Sequence, residues 1–207
     1  DCNIIFTTTP EFVKASVQAA IDHPNVKILN CSLNTSHRYI RTYYARMYEA
    51  KFLMGAVAGA MSENGQLAYI ADYPIFGTIA NINAFALGAK MINPRARVYL
   101  EWSTLKDVDI RLAMGNVQKK GVTVVSGKDM VIPEDASRYF GLYHLTEEGP
   151  HNLAMPLWHW GKFYEQLIRT IMDGTWKYDD NKDETKAINY WWGLSAEVID
   201  VIYSQKL

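Results

Sequence analysis

The chain lacks several features that would assign it to a class at once. It has two cysteines in 207 residues, Cys2 and Cys31, which cannot build a disulfide framework and do not stand in a metal-ligand spacing. Basic residues number 21 and acidic residues 22, so a formal net charge of −1 offers no basic field to nucleic acid. No apolar run is long and clean enough to span a bilayer. We therefore expect no nucleic-acid partner.

Familiar catalytic motifs are missing as well. The stretch "SGKD" lacks the spacing of a phosphate-binding P-loop, and "GAVAG" lies inside a predicted helix instead of between a strand and a helix. The five histidines form no H-E-x-x-H pair, and there is no G-x-S-x-G nucleophile elbow. The sequence therefore predicts a protein that is not an enzyme and that needs neither a cofactor nor a metal ion.

What is present is an alternation of short apolar runs with segments of helical period. The runs "NIIFTT", "VKILNCS", "YIRTYYA", "QLAYIADY", "RVYLEW", "VTVVSG" and "RYFGLYHL" predict strands, and most are followed by a predicted helix. Later, "MPLWHWGKFYEQLIRTIMDGTW" predicts a long amphipathic helix, and "AINYWWGLSAEVIDVIYSQKL" a strand followed by a short helix. This order indicates an α/β fold with parallel-dominated sheets and flanking helices. It also predicts that "QLAYIA", "RVYLEW" and "VTVVSG" are adjacent, buried strands of one sheet.

One segment is almost free of charge. Between Gln66 and Lys90 the only charged residue is Asp72, which precedes a proline turn. A helix covered by a sheet and by its neighbours is apolar most of the way round, so we predict that the uncharged helix is core.

Polar and aromatic residues follow the predicted strands, where open parallel sheets bind their ligands. Together they suit a polar small molecule with a ring. The candidate contacts are Thr8, Asn30, Asp72, Trp102, Ser126, Asp129, Tyr143 and, on the late helix, Trp158.

Several candidates have a structural alternative. Asp72 is equally suited to cap the following helix. Lys128 and Asp129 could pair with each other on the surface, where an ion pair contributes little. Trp102 and Trp158 could be ordinary core aromatics.

Three longer stretches resemble a known family. "IRTYYARMYEAKFLMGAVAGAM", "QLAYIADYPIFGTIANINAFALGAKMINPRARVYLEW" and "NYWWGLSAEVID" are similar to the basic membrane protein (BMP) family, and the resemblance covers nearly the whole chain. The family comprises substrate-binding proteins of ABC transporters and includes purine nucleoside receptors. The resemblance implies a type I periplasmic-binding-protein-like fold, in which crossover strands join two α/β lobes and the ligand lies between them.

The resemblance also implies a domain layout. Residues 1–44 would be the remnant of an incomplete first lobe, residues 45–189 the second lobe, and residues 190–207 a return segment towards the first. The chain begins "DCNIIFTTTP", without an initiator methionine or a signal sequence, so we expect it to be a piece of a longer protein. We also expect the exposed sheet edge within residues 1–45 to promote self-association of the truncated chain.

Site residues carry over from the family position by position. An aromatic near Trp102 would stack on the base, a carboxylate stands in relatives where this chain has Asn30, and a glycine turn falls at Ser126–Gly127. Relatives place another carboxylate near Tyr143, and a lysine at the start of a late helix, where this chain has Trp158.

The function predicted from these features is that of a solute-binding protein of an ABC-type uptake system. It would bind a nucleoside-like small molecule in the interlobe cleft by hinge closure and deliver it to an ABC permease. The resemblance implies an extracytoplasmic, membrane-anchored lipoprotein as the full-length form. The alternative is a ligand-sensing regulatory domain of a larger protein, a transcription regulator or a receptor.

Overall fold

The computed structural model describes residues 2–33, 38–72, 76–103, 110–129, 138–176 and 189–205. The elements in chain order are β1 (Ile4–Thr7), a 3₁₀ turn (Pro10–Phe12), α1 (Val13–Asp22), β2 (Lys27–Cys31), β3 (Arg41–Ala45), α2 (Met47–Met61), β4 (Gln66–Ala71), α3 (Phe76–Ile92), β5 (Arg97–Trp102), α4 (Ile110–Lys119), β6 (Val124–Ser126), β7 (Leu142–Thr146), β8 (Gly149–Trp158), α5 (Trp160–Met172), β9 (Asn189–Trp192), a 3₁₀ turn (Leu194–Ala196) and β10 (Ile199–Tyr203).

The chain divides into two compact units. Unit 1 consists of Asp1–Arg46 and His159–Val198, and unit 2 of Met47–Trp158 and Ile199–Leu207. This division differs from the layout predicted from the sequence, because α5 belongs with the first unit and β10 with the second. Each of these elements packs on the sheet of its own unit, which sequence position alone does not reveal.

The sheet of unit 1 is wholly parallel, in the order β1-β2-β3-β9. The apolar side chains of β2 explain its central place, since Ile28 and Leu29 are buried. On one face, α1 covers the sheet through Ala20, which packs with Ile28 and Ile40. This arrangement agrees with the predicted βαβ order of the first strands.

Aromatic rings fill the other face of the unit 1 sheet. Phe163 of α5 stacks on Tyr43 of β3 with ring centroids 4.8 Å apart, and meets the edge of Trp192 at 4.9 Å. Phe6 contacts both Tyr43 and Tyr164. The predicted amphipathic helix is therefore confirmed in type, because its apolar side lies on the sheet.

The sheet of unit 2 is mixed, in the order β10-β8-β7-β6-β4-β5. β4 pairs in parallel with both β5 and β6. This pairing confirms the prediction that "QLAYIA", "RVYLEW" and "VTVVSG" are adjacent strands. β5 is an edge strand, and Leu100 on it is 38% exposed, so the expectation that all three strands are buried is wrong for β5. Strands β7, β8 and β10 continue the sheet with antiparallel pairing.

Glycines bring α2 and α3 into backbone contact. A Cβ added at Gly55 would lie 2.0 Å from the carbonyl oxygen of Phe85, and one added at Gly88 would lie 2.0 Å from that of Phe52. Only a residue without a side chain allows two helices to approach this closely. The small residues of "GAVAGA" are therefore explained by helix packing.

The uncharged helix α3 is only partly core. Phe85 and Ala89 are fully buried, but Leu87 is 64% exposed and Met91 59% exposed. The prediction that the whole uncharged segment is buried is therefore wrong. Its buried side faces α2 and β4, and the absence of charge on the opposite side does not reflect burial.

The late part of the chain departs most from the sequence prediction. The predicted long helix begins only at Trp160, because Ala154–Trp158 pair with β10 as part of a strand. The predicted final short helix is instead β10. Proline suits the first turn of a helix and is rare inside sheets, so the sequence around Pro156 favours the start of a helix. In the structure Pro156 instead lies in strand β8, where it pairs with Val201 of β10.

Helices that could cross a membrane are not found in the described part of the chain: none combines sufficient length with sufficient apolar character.

Candidate functional site

The parallel strands of unit 2 bring their carboxyl ends to one edge of the sheet. Ala71 at the end of β4 stands opposite Trp102 at the end of β5, and Tyr69 stands opposite Ser126 at the end of β6. We define the carboxyl edge as Asp72, Trp102, Ser103, Ser126 and Asp129. Four of the eight predicted contacts therefore lie within one structural feature.

Trp102 and Ser126 of the carboxyl edge share a face of the sheet with Tyr69 of β4. Residues in register on neighbouring strands point the same way, so Tyr69 and Ser126 lie on one side, and Trp102, in register with Ala71, lies on that side too. The ring of Tyr69 meets the edge of Phe85 on α3 at 5.4 Å, which identifies this side as the one covered by α3. Trp102 is half-buried there.

Asp72 is bonded to the neighbouring strand end. Its Oδ1 accepts a hydrogen bond of 2.9 Å from Ser103 Oγ, and the backbone N–H of Ser103 donates to Ala71 O at 2.8 Å. The side chain of Asp72 is exposed. The alternative role as a helix cap depends on residues 73–75, which lie outside the described residues, so it stays a prediction.

Ser126 is a buried polar residue with an unused hydroxyl. It is fully buried, and its Oγ finds no hydrogen-bond partner within the structure. Buried side-chain oxygens are nearly always bonded to protein or water. We therefore expect the Ser126 hydroxyl to bond a group that the structure does not contain, such as a water molecule.

Asp129 is paired with a buried lysine from α2. Lys51 is completely buried, and its Nζ donates to Asp129 Oδ1. The same ammonium lies 5.3 Å from the ring centroid of Tyr69. The predicted alternative, a surface pair of Lys128 with Asp129, is wrong, because Asp129 turns towards α2 instead.

The pairing controls the charge state of Lys51. Burial by itself would lower the pKa of this ammonium, but the Asp129 carboxylate and Tyr69 outweigh burial and leave the pKa above its ordinary value. Burial raises the pKa of Tyr69, against the effect of Lys51, and the charges of Asp129 and Asp72 raise it further. The pairing with Asp129 therefore favours the charged form of Lys51.

Tyr143 does not join the other predicted contacts. It stands opposite Val125 in β6, on the face away from Ser126, and is 1% exposed. It packs in a core cluster with Ala68 and Ile70, and its hydroxyl donates to Met114 Sδ at 3.4 Å. Burial raises its pKa. The structure thus gives Tyr143 a packing role.

Trp158 also differs from its predicted setting. It ends β8, opposite Ile199 of β10, and is 37% exposed. The family comparison made from the sequence had placed it at the start of a helix. Because α5 begins two residues later, at Trp160, Trp158 does not occupy that helical position.

The predicted contacts of unit 1 fall at the ends of β1 and β2. Thr8 is exposed just after β1, whereas Asn30 is fully buried. Asn30 Nδ2 donates to Thr7 Oγ1 at 2.7 Å and to Thr9 O at 2.9 Å, while Asn30 Oδ1 has no partner within the structure.

A row of polar residues crosses the unit 1 sheet at this level. Thr7, Asn30, Thr42 and Asn189 are in register on the four strands. Thr42 Oγ1 donates to Asn189 Oδ1, and Thr7 Oγ1 lies 3.1 Å from Ser16 Oγ of α1. The row is neutral, and the unbonded amide oxygen of Asn30 lies at its centre.

Sequence reasoning missed Lys51 and Tyr69. A signal existed for Lys51, which lies on the same helix face as Met54 and Gly55 and is the one cation between Met47 and Met61. A cation on an apolar helix face predicts a buried acidic partner. The described residues contain no group of three or more His, Cys, Asp and Glu side chains that could hold a metal ion.

Comparison with known proteins identifies the family of this α/β chain. The family described as "ABC transporter substrate-binding protein PnrA-like", or Bmp, matches residues 1–131, which is more than half of the chain. The chain belongs to the Bmp family. The resemblance inferred from the sequence is thereby confirmed, and with it the class of ABC transporter substrate-binding proteins.

Two curated relatives match almost the whole chain. A Haloferax volcanii protein, named as a putative ABC transporter glucose-binding protein, is 26% identical in an alignment 208 residues long that covers 96% of this chain and 51% of the relative. A purine-binding protein of Brucella abortus is 26% identical in an alignment 209 residues long that covers 95% of this chain and 56% of the relative. The Bmp chain thus spans about half the length of these relatives.

Solved structures confirm the fold. A transcriptional activator of the comK gene from Bacillus halodurans superposes with a TM-score of 0.73 at 16% identity, covering 99% of this chain and 72% of that one. An ABC transporter solute-binding protein from Conexibacter woesei gives 0.67 at 13% identity, covering 97% and 68%. At these identities the likeness concerns the fold alone.

Proposed function

We propose that this Bmp chain is part of a solute-binding protein of an ABC-type uptake system, and that it binds a nucleoside-like small molecule. Family membership supports the first half of the proposal. The purine-binding relative from Brucella abortus supports the second half, while the relative named for glucose makes a sugar the competing ligand.

The observation that carries the ligand proposal is the spacing at the carboxyl edge. Trp102 and Ser126 lie on the two strands that flank β4, on the same face of the sheet. Two strand spacings separate them, or about 10 Å across the sheet. This distance suits a molecule with a flat ring at one end and hydroxyl groups at the other, as in a nucleoside.

Each residue of the edge has a proposed role. Trp102 offers a ring face for stacking, and the unused hydroxyl of Ser126 bonds a ligand hydroxyl. Asp72 and Asp129 are acceptors for ligand N–H or O–H groups. In unit 1, the amide oxygen of Asn30, which has no hydrogen-bond partner among the described residues, is a separate candidate acceptor. Ligand capture by hinge closure of the two lobes completes the proposed mechanism.

The partners and location of the whole protein follow from the same proposal. An extracytoplasmic, lipid-anchored binding protein would hand its ligand to an ABC permease. Self-association through the β1 edge also stays a prediction, because β1 has a strand neighbour on only one side within the described sheet.

A regulatory sensor is the second candidate. Solved structures of this fold include both a transcriptional activator and solute-binding proteins, so the fold does not decide between sensing and uptake. Purifying the full-length protein with its natural flanking regions decides it: a DNA-binding or signalling domain would replace the uptake proposal.

The direct test of the ligand proposal is calorimetric titration of the full-length protein with adenosine, inosine and glucose. We expect a nucleoside to bind, and Trp102→Ala to weaken binding about ten- to hundredfold, because loss of base stacking costs roughly 1–3 kcal/mol. The melting temperature of the unliganded protein should change little.

The matched control is Trp191→Ala, since Trp191 is a 40% exposed indole in unit 1. It should leave affinity unchanged. Binding of glucose without binding of either nucleoside would overturn the ligand assignment. A large loss of unliganded stability in Trp102→Ala, with affinity intact, would show that Trp102 is a core residue instead.

A further inference from the structure

Lys51 is a buried charge that the proposed ligand contacts do not use. Its side chain is completely buried on the inner side of α2, where its helix neighbours Met47, Met54 and Ala58 are apolar. Placing an ammonium group in such surroundings is unfavourable unless an anion and hydrogen bonds compensate it. Asp129 supplies that compensation from a different part of the chain.

Stability alone gives little reason to keep such a pair. Well-packed apolar residues of similar volume are often as stabilising as a buried ion pair, or more so. Elsewhere in the same unit, Lys120 and Glu101 form a partly exposed pair with Nζ and Oε1 3.3 Å apart. The contrast indicates that the buried pair serves to fix the position of a group.

The group that Lys51 fixes is the carboxylate of Asp129. The backbone just before it is already anchored, because Gly127 N–H donates to Gly141 O at 2.8 Å and Gly141 N–H donates to Lys128 O at 2.6 Å. Lys51 then holds Oδ1 of Asp129. Among the described contacts Oδ2 takes no hydrogen bond, and the Asp129 side chain remains 18% exposed.

We propose that Lys51 is a positioning residue, which holds Asp129 by one carboxylate oxygen so that the other accepts a hydrogen bond from the ligand. This inference rests on the proposed function of the carboxyl edge. It also defines the chemistry of the ligand group: an N–H or O–H donor instead of an anion. The nearby Asp72 carboxylate adds to the selection against anions, because Lys51 is already committed to Asp129.

The test compares three variants of the full-length protein. Lys51→Met removes the charge, Lys51→Arg keeps it, and Lys120→Met removes a lysine from the partly exposed pair as the control. Lys51→Gln, which retains a neutral donor, replaces Lys51→Met if that variant does not fold. Hydrogen exchange of peptides containing Ser126–Asp129 is measured without ligand, and inosine and inosine monophosphate are titrated by calorimetry.

We expect faster exchange in the Ser126–Asp129 peptides of Lys51→Met, with peptides of α2 and β4 unchanged. Inosine should bind roughly ten- to hundredfold more weakly, by analogy with the loss in affinity when the hydrogen-bonded partner behind a metal ligand is removed. Lys51→Arg should restore both properties, and Lys120→Met should alter neither. Wild type should prefer inosine to its monophosphate.

Unchanged exchange at Ser126–Asp129, or faster exchange spread over α2 and β4, would show that the pair is only structural and would overturn the inference. Preference for the monophosphate would overturn the predicted donor chemistry. If wild type binds neither compound while the exchange effect is present, the nucleoside proposal fails and the positioning of Asp129 by Lys51 stands.

Discussion

The two units pack a helix in opposite ways. In unit 1, rings fill the space between α5 and the sheet, with Phe163 against Tyr43 and Trp192. In unit 2, α2 and α3 touch backbone to backbone at Gly55 and Gly88. Rings stabilise mainly through the apolar area they bury, whereas the glycines stabilise by leaving room for close approach. The stability of the contact between α5 and its sheet is therefore sensitive to substitutions that remove side-chain volume. The stability of the contact between α2 and α3 is sensitive to substitutions that add it.

The units also differ in how they present polar groups at their strand ends. Unit 1 carries a neutral row with the unbonded oxygen of Asn30, and unit 2 carries carboxylates backed by the buried Lys51. A neutral acceptor can adjust to different ligand hydroxyls, while a charged acceptor held by a lysine keeps one orientation. Unit 2 is therefore the stronger candidate for determining specificity.

The largest expected effect is on unit 1. Phe163→Ala should lower the free energy of unfolding by roughly 3–5 kcal/mol, because it leaves a cavity between the rings that Phe163 contacts, including Tyr43 and Trp192. Urea unfolding followed by fluorescence measures it. Ile168→Ala is the control on the same helix, since Ile168 is 39% exposed. Equal losses in both variants would contradict the role assigned to the ring cluster.

A smaller loss is expected from one added methyl group in unit 2. Gly88→Ala should cost roughly 1–3 kcal/mol, because the new carbon meets the backbone of Phe52 and the helices must move apart. Gly115→Ala in α4 is the matched control: no atom of the described residues lies within 4 Å of its added carbon, so it should stabilise. The expected gain is roughly 0.5–1 kcal/mol, from better helix propensity. Loss of stability in the control would refute the steric explanation.

The smallest expected effect concerns the reactivity of the two cysteines, both of which lie in unit 1. Cys2 is exposed, but burial raises the pKa of Cys31 to about 11. At pH 8 only about one Cys31 thiol in a thousand is then the reactive thiolate. Cys2 should react quickly with a disulfide reagent and Cys31 slowly.

The labelling rate of Cys31 also tests whether the two units open independently of each other. Phe163→Ala should speed labelling of Cys31, because it loosens the sheet of unit 1 that contains this residue. Gly88→Ala should not, because it acts on unit 2. Equal acceleration by both variants would mean that the two units open together and that their packing cannot be treated separately.

Much of the fold could be predicted from period and composition. The parallel arrangement of β4, β5 and β6 followed from short apolar runs between helices, as did the amphipathic character of α5. The errors fall where local and tertiary preferences conflict. Ala154–Trp158 contain a proline that suits a helix start, yet pairing with β10 makes them a strand. The exposure of Leu87 depends on which neighbours cover α3, which periodicity does not specify.

The candidate site could be predicted only in part. The predicted strand ends place Asp72, Trp102, Ser126 and Asp129 after parallel strands, as the structure does, while their role as ligand contacts stays a prediction. Lys51 and Asp129 are 78 positions apart, and the sequence around either residue does not predict which residue it pairs with. Tyr143 was misplaced because β7 is antiparallel, so its side chain falls on the opposite face from Ser126.

The division into units has a consequence for biosynthesis. The chain passes from one unit to the other after Arg46, after Trp158 and after Val198, so neither unit is a continuous stretch. During synthesis from the N-terminus, the sheet of unit 1 is complete only after β9 has emerged and that of unit 2 only after β10. A ribosome that pauses before residue 189 would hold two unfinished sheets with open edges at once. Chaperone capture of these two units during translation should therefore be greatest just before β9 and β10 emerge.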